Sequence, residues 1–122
     1  MIKILIAEDE PDIRELISLT LQFGGYDVVS AKDGAEAVDA AKNDNFDLIL
    51  MDVRMPRMTG YEACRILRST DSTKEIPIIF LSAKGQESEV RAGLDAGADD
   101  YILKPFAPDM LTRKIKEVLK LS

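Results

Sequence analysis

Histidine and tryptophan are absent from this 122-residue chain, and cysteine occurs once, at Cys64. These absences exclude a phosphohistidine, a Cys/His nucleophile pair, a zinc site and an iron–sulfur site within the chain. A single thiol also excludes an internal disulfide and fits a reducing compartment. Positive charge is in the minority: 16 basic residues against 22 acidic ones leave a net charge of −6. That balance disfavours direct binding to nucleic acid or to an anionic membrane, and suits a protein that meets cations or basic surfaces. Long apolar runs are missing too. Ile2–Ile6 is followed by Glu8, is too short to cross a bilayer, and lacks a small-residue cleavage pattern, so a cytoplasmic location is expected. The length suits one domain, and the 46% hydrophobic and 31% charged composition is that of a soluble globular protein.

What is present is a set of short apolar runs with a shared kind of ending. Ile2–Ala7 stops at Glu8-Asp9, Phe46–Met51 at Asp52, Ile76–Leu81 at Ser82, and Tyr101–Leu103 at Lys104. Runs of this length, spaced by helical patterns, read as buried parallel strands. In an open α/β sheet the carboxyl ends of the strands share one edge, where ligands bind. Three carboxylates, a hydroxyl and an ammonium are therefore expected in one cleft.

Between the runs the period becomes helical. Ile13, Leu16, Ile17, Thr20 and Leu21 form one face of a helix that starts at Pro11 and stops at Gly24-Gly25. Tyr26–Ser30 reads as a further strand. Asp33 with Glu36 and Thr59 with Glu62 have capping-box spacing and start two more helices. The last helix opens at Pro108 and buries Leu111, Ile115, Val118 and Leu119. The weakest helix is Gln86–Asp95, whose only sizeable apolar residues are Val90 and Leu94 and which contains Gly93; few buried contacts place it at the low-stability end of the fold. Five β-α units in succession require a parallel sheet with helices on both faces.

Two carboxylates about 4 Å apart repel by roughly 4 kcal/mol at an effective dielectric near 20, so Glu8, Asp9 and Asp52 call for a bound cation or for raised pKa values. Oxygen-only ligands suit Mg²⁺, with Mn²⁺ as a substitute. Asp9 can instead be a cap for the helix at Pro11, but capping does not account for Asp52 on another strand. Pro56 and Gly60 bracket a sharp loop that holds Asp52 still and accessible. A carboxylate so placed can attack phosphorus to give an acyl phosphate, with a metal and Lys104 offsetting charge and Ser82 donating to a phosphoryl oxygen. Taken singly, Lys104 reads as a surface lysine and Ser82 as a turn residue. Their joint placement at strand ends beside Asp52 gives them a role.

Glu8-Asp9-Glu10, Asp52-Val-Arg-Met-Pro, Leu81-Ser82-Ala83 and Gly97-Ala-Asp-Asp-Tyr101-Ile-Leu-Lys104-Pro105-Phe106 together resemble the receiver domain of response regulators, the family of the chemotaxis regulator CheY. The motifs run through essentially the whole chain, and Asp9, Asp52, Ser82 and Lys104 are separated by 43, 30 and 22 residues, as one strand–helix layout requires. The resemblance implies a flavodoxin-like (βα)5 fold with sheet order 2-1-3-4-5, and residues 1–122 as one receiver domain, either a stand-alone regulator or one separated from an effector domain. It implies Asp52 as the phosphoacceptor, served by a histidine kinase or histidine phosphotransfer protein. Mg²⁺ would be held by Asp9, Asp52 and the Arg54 backbone carbonyl, with Glu8 nearby through water. Lys104 would pair with the phosphoryl group, Ser82 and Tyr101 would form the switch pair, and the Lys104-Pro105 bond would be cis. Such a domain catalyses only its own phosphotransfer and autodephosphorylation. Glu8 departs from the more usual aspartate by one methylene, and Arg54 and Lys84 occupy variable positions that tune dephosphorylation.

The alternative is a Mg²⁺-dependent phosphatase with an aspartyl-phosphate intermediate, of the haloacid-dehalogenase type. Its Asp-x-Asp pattern is interrupted here by Arg54, and the chain has no room for a cap domain. Nucleotide-binding glycine motifs are missing, and the acids after the first strand would repel a flavin phosphate. Output is expected through the face of the fourth helix, fifth strand and last helix, where Arg91, Asp99, Asp100, Arg113, Lys114 and Lys116 lie on or near the surface. Met110 stands where dimerising receivers usually carry an acid, which favours a heterologous partner over an activated homodimer.

Overall fold

Strand and helix alternate five times: β1 Lys3–Ala7, α1 Pro11–Phe23, β2 Asp27–Ala31, α2 Gly34–Asn43, β3 Leu48–Asp52, α3 Gly60–Arg68, β4 Ile78–Ala83, α4 Glu87–Ala96, β5 Asp100–Lys104 and α5 Pro108–Leu119. The computed structural model describes residues 1–83 and 87–121; Lys84 and Gln86, both singled out in the sequence, lie outside the described residues. All neighbouring strands are parallel and their order is β2-β1-β3-β4-β5, the flavodoxin-like arrangement expected.

The period-two alternation of the strands divides the core. Ile4, Ile6, Leu48, Leu50, Ile79, Leu81 and Ile102 face α1 and α5, where Ile17, Leu21, Leu111 and Ile115 are buried. Leu5, Ala7, Ile49, Met51, Ile78 and Phe80 face the other way, onto α2, α3 and Ala96 of α4. Strands buried on both faces must be apolar at every position, which is why β1, β3 and β4 read as continuous runs.

Local chemistry sets the helix starts. Thr59 and Glu62 form a full capping box at α3. At α2 only half of that device forms: Asp33 accepts from Glu36 N at 2.8 Å, but the Glu36 carboxylate accepts from Lys32 N at 3.1 Å and not from Asp33. Asp9 does not cap α1, whose N-cap is Glu10 without a side-chain bond.

The weak fourth helix is seated differently from expectation. Leu94 is exposed and Val90 is half-buried, whereas Gly93 and Ala96 are buried. A Cβ at Gly93 would lie 2.6 Å from the Phe80 ring, so the missing side chain lets α4 rest directly on that ring. Leu16 of α1 is likewise half-exposed, not core. No described helix is long and apolar enough to cross a membrane.

Candidate functional site

The same alternation that divides the core also sorts the polar strand ends. Glu8 continues the parity of Ile4 and Ile6, Asp52 that of Leu50, and Lys104 that of Ile102, so all three fall on the α1/α5 side. Ser82 continues the parity of Ile78 and Phe80, and Tyr101 packs with the same cluster, so both fall on the α4 side.

Lys104 Nζ accordingly donates to Glu8 Oε1 and to Asp52 Oδ2, each at 2.9 Å. Glu8 is buried outright and Asp52 is 6% exposed. Arg14 of α1 fixes the Glu8 backbone by donating to its carbonyl at 2.8 Å, and Glu8 Oε2 accepts from Glu10 N at 3.2 Å. Asp9, more accessible, completes a group with Glu8 and Asp52 in which one oxygen of each carboxylate lies within 4.8 Å of the others. Arg54 N lies 3.4 Å from Asp52 Oδ1, which places the start of this residue at the rim of the site. Gly60 presses against the same loop: its N–H donates to Val53 O at 2.9 Å, and a Cβ there would sit 2.3 Å from the Asp52 carbonyl. The Lys104-Pro105 bond is cis.

Burial pushes the Glu8 carboxyl up to about 7; the Lys104 hydrogen bond works against this and the neighbouring Asp52 carboxylate adds to it. Burial disfavours the Lys104 ammonium, but the hydrogen bonds and charges of Asp52 and Glu8 together outweigh it and leave the pKa raised. One ammonium thus serves two carboxylates, and the set has charge to spare for a cation. All the donor atoms are oxygens, the chemistry of a hard divalent ion such as Mg²⁺.

Ser82 is brought to the site's edge, where its Oγ is buried without a hydrogen-bond partner among the described residues. Tyr101 is half-buried in β5, paired in register with Phe80. Sequence reasoning missed Glu89. It sits on α4 with its side chain 9% exposed, accepts from Arg54 Nε, and has Oε1 3.4 Å from Ala83 N. A lone glutamate in a polar helix gives no signal of such burial. The buried Asp33, paired with Arg57 at 3.2 Å, was likewise read only as a cap.

Residues 4–116 match the model of the response regulator receiver domain family. The chain is 44% identical over 119 residues to response regulator MprA of Mycobacterium bovis, covering 98% of this chain and 51% of that one. It thus spans about half the length of the curated relatives it matches. Among solved structures, a response regulator from Chloroflexus aurantiacus superimposes with a TM-score of 0.93 at 36% identity, covering 97% of each chain. The chemotaxis protein CheY4 of Vibrio cholerae gives 0.92 at 37%, over 97% of this chain and 98% of that one. The receiver domain of the sensor histidine kinase PA1611 from Pseudomonas aeruginosa, with magnesium coordinated in its active-site cleft, gives 0.91 at 36%, covering 97% of each. With its sheet order, its acidic cluster and these matches in agreement, the chain belongs to the response regulator receiver domain family of two-component signalling.

Proposed function

We propose that residues 1–122 act as one phosphorylation-dependent switch, in which Asp52 accepts a phosphoryl group from a histidine kinase or histidine phosphotransfer protein. The observation that carries this reading is the placement of Asp52 Oδ2 at 2.9 Å from Lys104 Nζ, within a three-carboxylate cluster. An oxygen of Asp52 bonds to phosphorus as the P–N bond to the donor histidine breaks. The donor histidine lies outside these 122 residues, which contain none. Asp9, Asp52 and the Arg54 carbonyl would hold Mg²⁺, with Glu8 close by, as the PA1611 receiver holds magnesium in its cleft. The ion supplies Lewis-acid neutralisation of the transferring group. Lys104 turns its ammonium from the carboxylates to the phosphoryl oxygens, and the unpartnered Ser82 hydroxyl gains an acceptor.

A donor histidine has to reach Asp52, so the donor's surface must lie on what flanks it. An apolar groove of about 370 Å³ runs there, lined by Ile13, Leu16, Ala83, Lys104, Pro105 and Phe106, and gives the exposed Leu16 a purpose. For output, Ser82 and Tyr101 share the α4 side of the sheet. The adjoining groove between β5 and α5 exposes Leu103 and Met110 beside Lys114, a surface for a heterologous protein target or effector domain. Asp99, held by Arg68 at 2.9 Å, lies beside Asp100, Glu117 and Val118 at the far end of that face. A cytoplasmic site of action follows from this role. The matched relatives lend no support to the phosphatase alternative.

Acetyl phosphate with Mg²⁺ should add one phosphoryl group by intact mass, labile to base and hydroxylamine. Asp52→Asn should abolish it. A phosphoryl addition retained in that variant would overturn the assignment.

A further inference from the structure

Resting on Asp52 as the phosphoacceptor, we propose that Glu89 is a positioning residue that holds the site in its unphosphorylated arrangement. Its carboxylate occupies the Ala83 N–H and the Arg54 guanidinium until a phosphoryl group on Asp52 competes for both. The geometry supplies each part. Asp52 lies beside Leu81 in the β3–β4 register, so Ser82 and Ala83 run on just past its carboxylate. Ala83 N faces Glu89 Oε1 at 3.4 Å, a long bond that a better acceptor can displace. Arg54 begins at Asp52, through its N–H at 3.4 Å, and ends at Glu89 Oε2. Its side chain is 75% exposed while that of Glu89 is 9% exposed, so the guanidinium is free to swing and the carboxylate is not.

The consequence is a mechanical one. A phosphoryl dianion recruits nearby donors and repels nearby carboxylates. Once Ala83 N–H and Arg54 turn to it, Glu89 is a buried carboxylate that has lost both its partners among the described residues, a state that exposure to water relieves. Glu89 cannot reach water without moving α4, because the same residue is pinned through its backbone carbonyl, which accepts from Tyr61 Oη at 3.1 Å. Tyr61 in turn meets Phe80 edge-on, at 5.7 Å between ring centres, and Phe80 is the ring on which Gly93 of α4 rests. Charge at Asp52 is thereby converted into displacement of the helix that Gly93 seats on the Phe80 ring.

The test uses the isotopically labelled full chain in saturating Mg²⁺, with beryllofluoride as a phosphoryl mimic. Amide shifts of Val90, Arg91 and Ala92 between the free and beryllofluoride-bound states of the wild type define a line. Glu89→Gln and Arg54→Gln, both without the mimic, should move these amides part of the way along that line, and Arg54→Lys should return them toward the resting position. Glu89→Gln should also bind beryllofluoride about fivefold more tightly, because a competing acceptor has been weakened. Arg54→Gln should gain less, since it loses a donor to the mimic as well. Displacements off the line, or an unchanged or weaker beryllofluoride affinity in Glu89→Gln, would overturn the proposal. A wild type that neither binds beryllofluoride nor takes a phosphoryl group from acetyl phosphate would instead remove Asp52 as the acceptor, and the role of Glu89 with it.

Discussion

At the edge where β4 and β5 begin, Arg68 donates to the carbonyls of Gly97, Lys74 and Ile76 at 2.9, 3.0 and 2.6 Å and to Asp99 Oδ2 at 2.9 Å. Asp99 Oδ2 also accepts from Ile78 N at 2.8 Å. At the opposite edge Lys104 faces two carboxylates, Asp9 adds a third, and the Ser82 hydroxyl is buried without a partner among the described residues. Both edges carry charge into a partly buried place. One distributes it so that every group is answered; the other leaves negative charge in excess and a donor waiting. Saturated hydrogen bonding belongs to an element that must not move, and imbalance to a site completed by something that binds.

The largest effect is expected from Glu8. Its folded-state pKa of about 7 lies above the unfolded value of 4.5, so the folded chain holds more protons between those values. Stability of the metal-free protein is therefore fully expressed at the acid end of this window and falls as the pH rises from 5 to 8, by about 2–3 kcal/mol. With no histidine in the chain, no imidazole titration overlies the slope. Urea denaturation in a chelator at each pH should show it, and Glu8→Gln should flatten it. A wild-type stability that is level or rising across that range would mean that burial does not govern Glu8.

How much of this was legible in the sequence differs by region in the same way. The strand-end residues could be read because the period of a β-strand is fixed and a parallel sheet aligns carboxyl ends. Asp9, Asp52 and Lys104 needed only that rule. The parity that separates Ser82 from the Lys104 cluster was also in the sequence, once each strand's register is known. Arg68 was not readable: it and Gly97 are 29 positions apart, and three of its four acceptors are backbone carbonyls placed by loop geometry, not by residue type. Glu89 was hidden for a related reason, since the burial of a helical carboxylate depends on how α4 sits. That seating is decided by Gly93 against Phe80, where a missing side chain leaves no apolar signal. The apolar pattern pointed instead to Leu94, which the structure leaves exposed.

A smaller effect is expected from Arg68→Ala. The side chain is only 22% exposed, and its removal strands four acceptors, of which those near the surface regain water. A loss of about 2 kcal/mol follows from charge-assisted bonds of this kind, discounted for that hydration. Acetyl phosphate labelling at Asp52 should be unaffected in the fraction that is folded. Loss of labelling without loss of stability would show that the two edges communicate and that their contrast is not one of division of labour.

The smallest shift is the one that Mg²⁺ itself should produce. A cation that binds only the folded chain at about five times its dissociation constant stabilises by about 1 kcal/mol, or a few degrees in melting temperature. Arg68→Ala should melt lower than the wild type in chelator yet gain the full increment, because its site is intact. Asp9→Asn should behave in the opposite sense. With one of three clustered carboxylates neutralised, the metal-free protein should be as stable as the wild type or slightly more so, while the Mg²⁺ increment should nearly vanish. Thermal melts of the three proteins with and without Mg²⁺ separate the cases. An increment that survives Asp9→Asn would place the ion away from the acidic cluster, and an increment lost in Arg68→Ala would tie it to the whole fold and not to that edge.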